Sequence, residues 1–313
     1  MSKHRKVLLV VIIIVIIAGV VAYYFFFRGR FGGVVSVTGV ELYIRSGDVS
    51  EAQTPIEVCI NVENSFPVSV RVEGGSLAVI LSGLRLADVS IPAQEVKQGR
   101  TTLIVNAILD NTLLDDFWYR HLSQGEKSNM FIEGSIRVGT PIGSLELPVR
   151  FSNIIETKIF PIVQELNREY DVAILGKVVV RKAVIELVNV TPYETKLKAL
   201  ITIENDLKAL PLHMSGVVFS IKTGGGNTLG FGEQETPKII APSEIDTIVF
   251  SVTIDNTKIP KLWVEHIRNM EKTIVNIEIW LKVKIAGKEL ELFKEHPLTV
   301  STEIKTNIFK YKG

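Results

Sequence analysis

The feature that most constrains this chain is a long internal repeat. Asp110-Asn111-Thr112 recurs as Asp255-Asn256-Thr257, an offset of 145 residues. The same offset relates Trp118 to Trp263, His121 to His266, Glu126-Lys127 to Glu271-Lys272, and Leu145-Glu146-Leu147 to Leu290-Glu291-Leu292. This spacing is too long for a solenoid repeat of about 20–50 residues, and it matches the size of a whole domain. We therefore expect two copies of one domain.

The N-terminus contains an apolar segment of membrane-spanning length. Residues 7–27, from Val7 to Phe27, carry no charge and are interrupted only by Gly19. As a helix rising about 1.5 Å per residue they would span roughly 30 Å, the thickness of a bilayer core. The basic leader, residues 1–6, favours a cytoplasmic N-terminus with the rest of the chain outside. A cleaved signal peptide, processed after positions 20–22, is the alternative.

Charge and cysteine content narrow the classes of partner. The chain has 35 basic and 34 acidic residues and a formal charge of +1, which predicts no attraction to nucleic acid. Cys59 is the single cysteine, so an intrachain disulfide is impossible and core burial must stabilise the fold. Asn189 begins the one glycosylation acceptor pattern, which is as readily a chance match.

The hydrophobic pattern after residue 30 is mainly that of β-strands. Alternating apolar and polar residues at 57–62 and 68–72 are typical of strands with one buried face. Further strands are predicted at 77–81, 102–108, 129–138 and 145–151, and then at 198–203, 217–222, 247–254, 275–285 and 288–293. Gly143 and Gly287 indicate hairpins between the last two strands of each copy.

One helix is expected in each copy. The first runs from about Thr112 to Ser123, and Thr257 begins the second, with the two threonines as N-caps. Apolar residues around Trp118 and Trp263 form one broad helical face. Each helix is therefore expected to cover its own sheet, with its tryptophan as the main anchor and no ligand on the ring.

The remaining segments complete the predicted organisation. Residues 34–152 and 175–308 form the two domains, each an immunoglobulin/fibronectin-like β-sandwich with one helix. Residues 153–174 form a linker that contains a short amphipathic helix after Pro161, and residues 309–313 form a basic tail. The linker is not Gly/Ser-rich, which favours a semi-fixed angle between the domains.

The pattern resembles the LEA14-like, or WHy (water stress and hypersensitive response), domain. The resemblance rests on VENSFPV at positions 62–68, on the order of strands that follows, and on the single helix. The second copy is similar, with IEN at 203–205 and LPL at 210–212. Both copies lack the Asn-Pro pair usual at the bend. The resemblance implies β-sandwiches behind a membrane anchor, a link to stress such as desiccation, and no shared catalytic residues.

Motifs for catalysis, cofactors or metals are almost absent from the sequence. His121 and His266 recur, but no HExxH motif or cysteine pair accompanies them, so a metal site is not predicted. Gly224-Gly225-Gly226-Asn227 lacks the Lys-Ser/Thr of a phosphate loop and is predicted to be a hairpin loop. Asp115-Asp116 fit an exposed first turn of a helix. We predict no catalytic, cofactor-binding or metal-binding residues, and no cofactor.

Three functions remain open at this stage. The favoured one is a non-enzymatic binding or protective protein, held in the membrane by residues 7–27, whose partner is an envelope protein, lipid or polymer. The alternative is a structural envelope scaffold or stalk that assembles through exposed sandwich edges. The least favoured is an enzyme with an unrecognised site between the domains.

Overall fold

The described part of the chain is mainly β, with several sheets and two short α-helices. The computed structural model describes residues 35–44, 46–140 and 143–312, together with Ile16. The predicted anchor at residues 7–27 lies outside this range apart from Ile16. Across the described ranges, no helix has the length and apolar character needed to cross a membrane.

The first half of the described chain forms two sheets. Its strands are β1 (Val35–Ile44), β2 (Gln53–Asn64), β3 (Val70–Leu81), β4 (Leu84–Ile91), β5 (Gln94–Val96), β6 (Gly99–Asp110), β7 (Lys127–Thr140) and β8 (Gly143–Glu156). Sheet A contains β1, β2 and β6, and sheet B has the order β4-β3-β7-β8, with β5 also beside β3. Leu42 and Leu109 of sheet A line the same small cavity as Val79 and Met130 of sheet B. The apolar faces of the two sheets therefore pack against each other.

The second half repeats this arrangement. Its strands are β9 (Ile162–Asp171), β10 (Gly176–Val190), β11 (Glu194–Leu207), β12 (Leu212–Thr223), β13 (Thr228–Ile240), β14 (Ile245–Asp255), β15 (Lys272–Ile285), β16 (Lys288–Leu292), β17 (Leu298–Lys305) and β18 (Lys310–Tyr311). Sheet C has the order β14-β11-β10-β9, and sheet D has the order β13-β12-β15-β16, with β17 also beside β15. The last strand, β18, returns to the first half and pairs with β1 in sheet A.

The two α-helices follow equivalent strands, as the repeat predicts. They are α1 (Leu114–Ser123) and α2 (Ile259–Arg268), and a 3-10 turn precedes each. The predicted threonine caps are wrong. Asp110 and Asp255 cap the turns instead, since each carboxylate accepts a hydrogen bond from the backbone N–H two residues later, at 2.9 and 3.0 Å.

Buried asparagines hold the bend that carries the family resemblance. The side-chain amide of Asn64 donates to the carbonyls of Val68 and Val96, and that of Asn205 donates to Leu210 and Ile240. Both asparagines are fully buried. A buried amide with satisfied hydrogen bonds fixes the local path of the chain. An equivalent asparagine therefore fixes the longer bend of the second copy in the same way.

The predicted helix in the linker is wrong, and two residues of the predicted basic tail form a strand. Ile162–Asp171 is strand β9, whose backbone pairs antiparallel with β10. In this segment the two-residue period of a strand outweighs the helical period, since Ile162 and Leu166 face the core and Val163 is exposed. Lys310–Tyr311 is likewise a strand, β18, because an open backbone edge on β1 receives it.

Most of the predicted strands fall within observed ones. The stretch at 68–72 begins two residues before β3, and the stretch at 288–293 ends one residue after β16. The stretches at 68–72 and 77–81 both contribute to the single strand β3, which bends where its register shifts near Gly74. Gly287 forms the predicted hairpin, with Ala286 and Gly287 both at positive φ between paired Ile285 and Lys288. Gly143 pairs with Thr140 at the equivalent place.

Candidate functional site

Each tryptophan of the repeat is bonded to the other half of the molecule. Trp118 donates from Nε1 to the Oγ1 of Thr195 at 3.0 Å, and Trp263 donates to the Oγ1 of Thr54 at 2.9 Å. Both rings are buried. The tryptophans occupy equivalent positions, but the expectation that each anchors its helix only to its own sheet is wrong.

The accepting threonines extend each contact into a buried chain of hydrogen bonds. Thr54 donates to Asn111 Oδ1 at 3.0 Å, and Thr195 donates to Asn256 Oδ1 at 2.8 Å. Each asparagine then donates to a backbone carbonyl at 2.7 Å. The indole N–H groups, the threonine hydroxyls and the asparagine amides all have partners, so hydrogen bonds offset the cost of burying them.

The segments that follow β8 and β17 also pack into the other half of the molecule, and we call them the exchanged segments. Ile159 and Phe160, after β8, line a cavity with Trp118 and the second-half core residue Leu197. Ile308 and Phe309, after β17, line a cavity with Trp263 and the first-half core residue Leu42. Each half therefore completes its core with a helix residue and a terminal segment of the other half.

Two buried glutamates hold the exchanged segments. Glu126 accepts hydrogen bonds from Thr157 Oγ1 at 2.8 Å and from the backbone N–H groups of Ile159 and Phe160, at 2.6 and 2.8 Å. Glu271 accepts the equivalent bonds from the hydroxyl of Thr306 at 2.7 Å and from two backbone N–H groups, at 2.7 and 3.1 Å. Hydrogen bonds to a carboxylate are stronger than neutral ones.

The backbone conformation aims these carboxylates at the exchanged segments. Glu126 has φ 63° and Glu271 has φ 59°, and the residue before each is also left-handed. Their N–H groups bond back to the carbonyls of His121 and His266 at the helix ends, which is a helix C-cap of the left-handed type. Such a backbone costs about 1–3 kcal/mol in a non-glycine residue, which the carboxylate bonds offset.

The repeated histidines lie next to the glutamate clusters. His121 bonds through Nδ1 to Ser128 Oγ and through Nε2 to Thr157 Oγ1, both at 2.8 Å. His266 bonds in the same way to the hydroxyls of Thr273 and Thr306, at 3.2 and 2.9 Å. Both ring nitrogens are thus engaged, and burial lowers the pKa of each histidine. The predicted place at a helix C-terminus is confirmed, but neutral rather than protonated rings are favoured.

A small apolar cavity separates the two histidines. It measures about 50 Å³, lies where α1 meets α2, and is lined by both tryptophans, both histidines and mainly aliphatic side chains. That volume admits at most a few water molecules. Within the described residues, no group of three or more His, Cys, Asp or Glu side chains is placed to hold a metal ion.

The histidine at the second helix predicts a pH dependence of stability. Burial lowers the pKa of His266 to about 4, from an ordinary value near 6.5. The unfolded chain binds this proton near pH 6.5, whereas the folded chain binds it only near pH 4. Stability is therefore full above pH 6.5 and falls as the pH drops toward 4, by about 3 kcal/mol for this group.

Urea denaturation at pH 7 and pH 4.5 measures this dependence. The variant His266→Gln keeps hydrogen-bonding capacity but cannot titrate, so its loss of stability between the two pH values should be smaller by about 2–3 kcal/mol. Equal losses in the variant and the wild-type protein would show that His266 does not titrate with the predicted shift.

The glycine-rich loop binds a carboxylate of its own chain. Gly225 N–H donates to Glu265 Oε1 at 2.8 Å, and the amide of Asn227 donates to Glu265 Oε2 at 2.9 Å. The hydroxyl of Thr223 also donates to Glu265. The loop joins β12 to β13, as expected for a hairpin loop, and Glu265 of α2 fills its centre. Asp115 and Asp116 lie in the first turn of α1.

A wide groove lies at the edge of the first half. It measures about 420 Å³ and separates β1 from β8. Buried Val40, Leu42, Met130 and Phe309 lie along it, and its lining is otherwise largely polar, with Thr38, Glu41, Asn61, Asn153, Asn307 and Lys310. Its wall on the β8 side includes half-buried Phe151. This groove is the candidate binding site.

Sequence reasoning missed the roles of the most important polar residues at the junction. The repeat contains Glu126 and Glu271, but a conserved spacing does not reveal which backbone groups a carboxylate will bind. The recurrence of a histidine five residues before each glutamate was the available signal, since it marks the end of a helix followed by a buried anion. The groove has no signal in the sequence, because it depends on which strand lies beside β1.

Neither a protein-family model nor a curated protein matches the chain. Among solved structures, the chain is similar to a protein from Archaeoglobus fulgidus, with 23% identity and a TM-score of 0.37 over 42% of this chain and 99% of that one. It also matches red sea bream transglutaminase, with 13% identity and a TM-score of 0.20 over 88% of this chain and 32% of the enzyme. A β-glucuronidase of Bacteroides uniformis matches with 9% identity and a TM-score of 0.25, over 83% of this chain and 27% of that one. The chain thus spans a third or less of the length of either enzyme, and similarity at this level defines no shared function.

Proposed function

We propose that this chain is a membrane-anchored, non-enzymatic binding protein with two LEA14-like β-sandwich domains of the immunoglobulin/fibronectin-like type. Residues 7–27 hold it in the membrane, and the two domains lie outside the cell. The binding partner belongs to the envelope, and the proposed protective role is under stress such as desiccation.

The observation that carries this proposal is the contrast between the junction and the groove. At the junction, the buried polar side chains of the repeat all bind parts of the same chain: Glu126 and Glu271 hold exchanged segments, and Asn111 and Asn256 hold the threonines. The groove beside β1 instead offers a strand edge, with buried apolar side chains and accessible polar groups along it. A rigid body with an open strand edge is suited to binding.

The family resemblance receives support from three features of the fold. Each half has two sheets packed face to face, a single α-helix after the equivalent strand, and a buried asparagine at the bend. The single helix and the bend are among the features on which the resemblance to LEA14-like domains rests. The shared arrangement supports sandwiches of that type and carries no catalytic residues with it.

The anchor is tested by the accessibility of the domains in intact cells. We expect added protease to remove the domains and leave a short N-terminal fragment in the membrane, because the basic leader favours a cytoplasmic N-terminus. A cytoplasmic marker protein should stay intact as the control. Protection of the whole chain would contradict the proposed orientation, and a mature N-terminus near Tyr23 would show a cleaved signal instead.

A structural scaffold of the envelope is the second candidate, and exposed strand edges favour it. β8 and β4 lie at the edges of sheet B, and Ile154 on β8 is 65% exposed. Exposed apolar edges can pair between copies. Cross-linking in membranes separates the two candidates, because a scaffold gives a regular ladder of oligomers and a binding protein does not.

A further inference from the structure

The two halves of the molecule differ at one sheet edge. In the second half, β9 covers the outer edge of β10 and pairs with residues 177–185. Residues 35–42 of β1 are equivalent to residues 178–185, since Val35 and Val178 pair with the matching asparagines Asn64 and Asn205. The register shift near Val180 matches the one near Val37. The two edges are therefore equivalent residue by residue.

In the first half this edge is covered only at its end. β18 pairs with Tyr43 and Ile44 of β1. Among the described residues, no strand pairs with residues 35–42 on the side away from β2. The groove of about 420 Å³ lies along residues 38–42 of this uncovered stretch. It is the space that β9 fills in the second half.

Strand β9 shows how such a space is filled. Its backbone runs antiparallel to β10, and Ile162 is buried opposite Ile185. Gln164, opposite Ala183, crosses to the other sheet: its amide donates to the carbonyl of Thr299 at 3.2 Å and accepts from the N–H of Ser301 at 3.0 Å. Further along, Tyr170 packs edge-on against Phe293 at 5.5 Å. One strand thus closes the gap between two sheets.

The first half presents the matching groups. Leu42 and Val40 are buried at the positions equivalent to Ile185 and Ala183. On β8, Arg150 and Ser152 are equivalent to Thr299 and Ser301, because they pair with residues of β7 that match those of β15. By this equivalence the Ser152 N–H and the Arg150 carbonyl point into the groove.

We propose that the edge of β1 binds an extended segment of a partner protein, as an added strand antiparallel to β1. The segment carries an aliphatic residue opposite Leu42, a glutamine or asparagine opposite Val40, and apolar residues at alternate positions beyond. Backbone pairing supplies general affinity, and the alternate side chains supply specificity. This inference rests on the proposed function and deepens it. An anchor at residues 7–27 would hold the residues that precede β1 away from the groove and leave the edge free for a partner.

The test uses the full chain in lipid nanodiscs and a labelled ten-residue peptide with the sequence of β9, IVQELNREYD. Fluorescence anisotropy should show saturable binding, and hydrogen exchange should show that the peptide protects amides within residues 35–42. A peptide with proline in place of its second residue should not bind, because proline at this point disrupts the extended pairing.

A double-mutant cycle tests the predicted glutamine contact. Replacing the glutamine of the peptide with alanine should weaken binding about fivefold, which is the order of one or two net hydrogen bonds. The protein variant Ser152→Pro removes the outward N–H from an edge strand, where proline is tolerated. With the Ser152→Pro protein, replacing the peptide's glutamine with alanine should lower the binding affinity less than it does with the wild-type protein. Ser301→Pro is the matched control, because the equivalent edge is already covered, and it should leave peptide affinity unchanged.

Two results would overturn the inference. One is the absence of saturable peptide binding by a folded chain. The other is slow exchange of the outward amides of residues 35–42 before peptide is added, which would mean that the chain's own preceding residues or a second copy cover the edge. Neither result depends on which side of the membrane the domains occupy, so the proteolysis experiment judges the proposed anchor separately.

Discussion

Replacing Trp118 with alanine will destabilise both halves of the molecule together. The ring is buried at the junction, and its Nε1 donates to Thr195 of the second half. Truncating a buried tryptophan typically costs about 3–5 kcal/mol through lost contacts and a cavity. The substitution also removes the indole N–H, so the Thr195 hydroxyl loses the hydrogen bond that it accepts. We expect the melting temperature to fall by roughly 10 °C.

Hydrogen exchange distinguishes this result from an effect confined to one half. In Trp118→Ala, amides of β10 and β11 should lose protection along with those near α1, and Trp263→Ala should give the reciprocal pattern in the first half. Trp280→Ala is the matched control, since this ring lies outside the junction and is only half-buried beside exposed Phe231. Two separate melting transitions, with only the first shifted by Trp118→Ala, would contradict the interlocked junction.

Replacing Glu271 with alanine will release the C-terminal segment from the first half. Its carboxylate is buried and accepts hydrogen bonds from Thr306 and from the backbone N–H groups of Ile308 and Phe309. Without it, two backbone donors lose their acceptor in a buried site, at about 1–3 kcal/mol each. We expect the free energy of unfolding to fall by about 3–5 kcal/mol.

The release is measured by denaturation and by exchange at the last strand. In Glu271→Ala the amide of Lys312, which donates to the carbonyl of Ile44 at 3.2 Å, should exchange much faster. Glu289→Ala, on the exposed part of β16, is the control and should change stability by less than about 0.5 kcal/mol. A stability loss without faster exchange at Lys312 would mean that Glu271 acts elsewhere.

Sequence patterns predicted the helix of each copy and ten of the 18 described strands, because these depend on local periodicity; the long strands β1, β10 and β13 were missed. The buried tryptophans followed from apolar neighbours at helical spacing. The partner of each tryptophan could not be predicted, because an amphipathic face shows that a residue is buried but not against which sheet. The linker helix was wrong for a related reason: the segment around Ile162 is short, and the open edge of β10 decided its conformation.

The candidate site was beyond the reach of the sequence. The groove exists because β18 covers only Tyr43 and Ile44, while β9 covers the whole equivalent stretch in the other half. This difference arises from the chain segments that lie beside two equivalent edges, and no motif within β1 records it. The repeat showed which residues are equivalent, and the structure showed where the equivalence ends.

The reciprocal bonds from Trp118 to Thr195 and from Trp263 to Thr54 have a consequence for how such chains are assembled in evolution. Each copy offers one donor and one acceptor, and two copies satisfy each other completely, as in an isologous dimer. A third copy added in tandem would find every indole and every threonine already engaged. Copies of this unit are therefore satisfied in pairs, and longer relatives built on the same junction should contain an even number of copies.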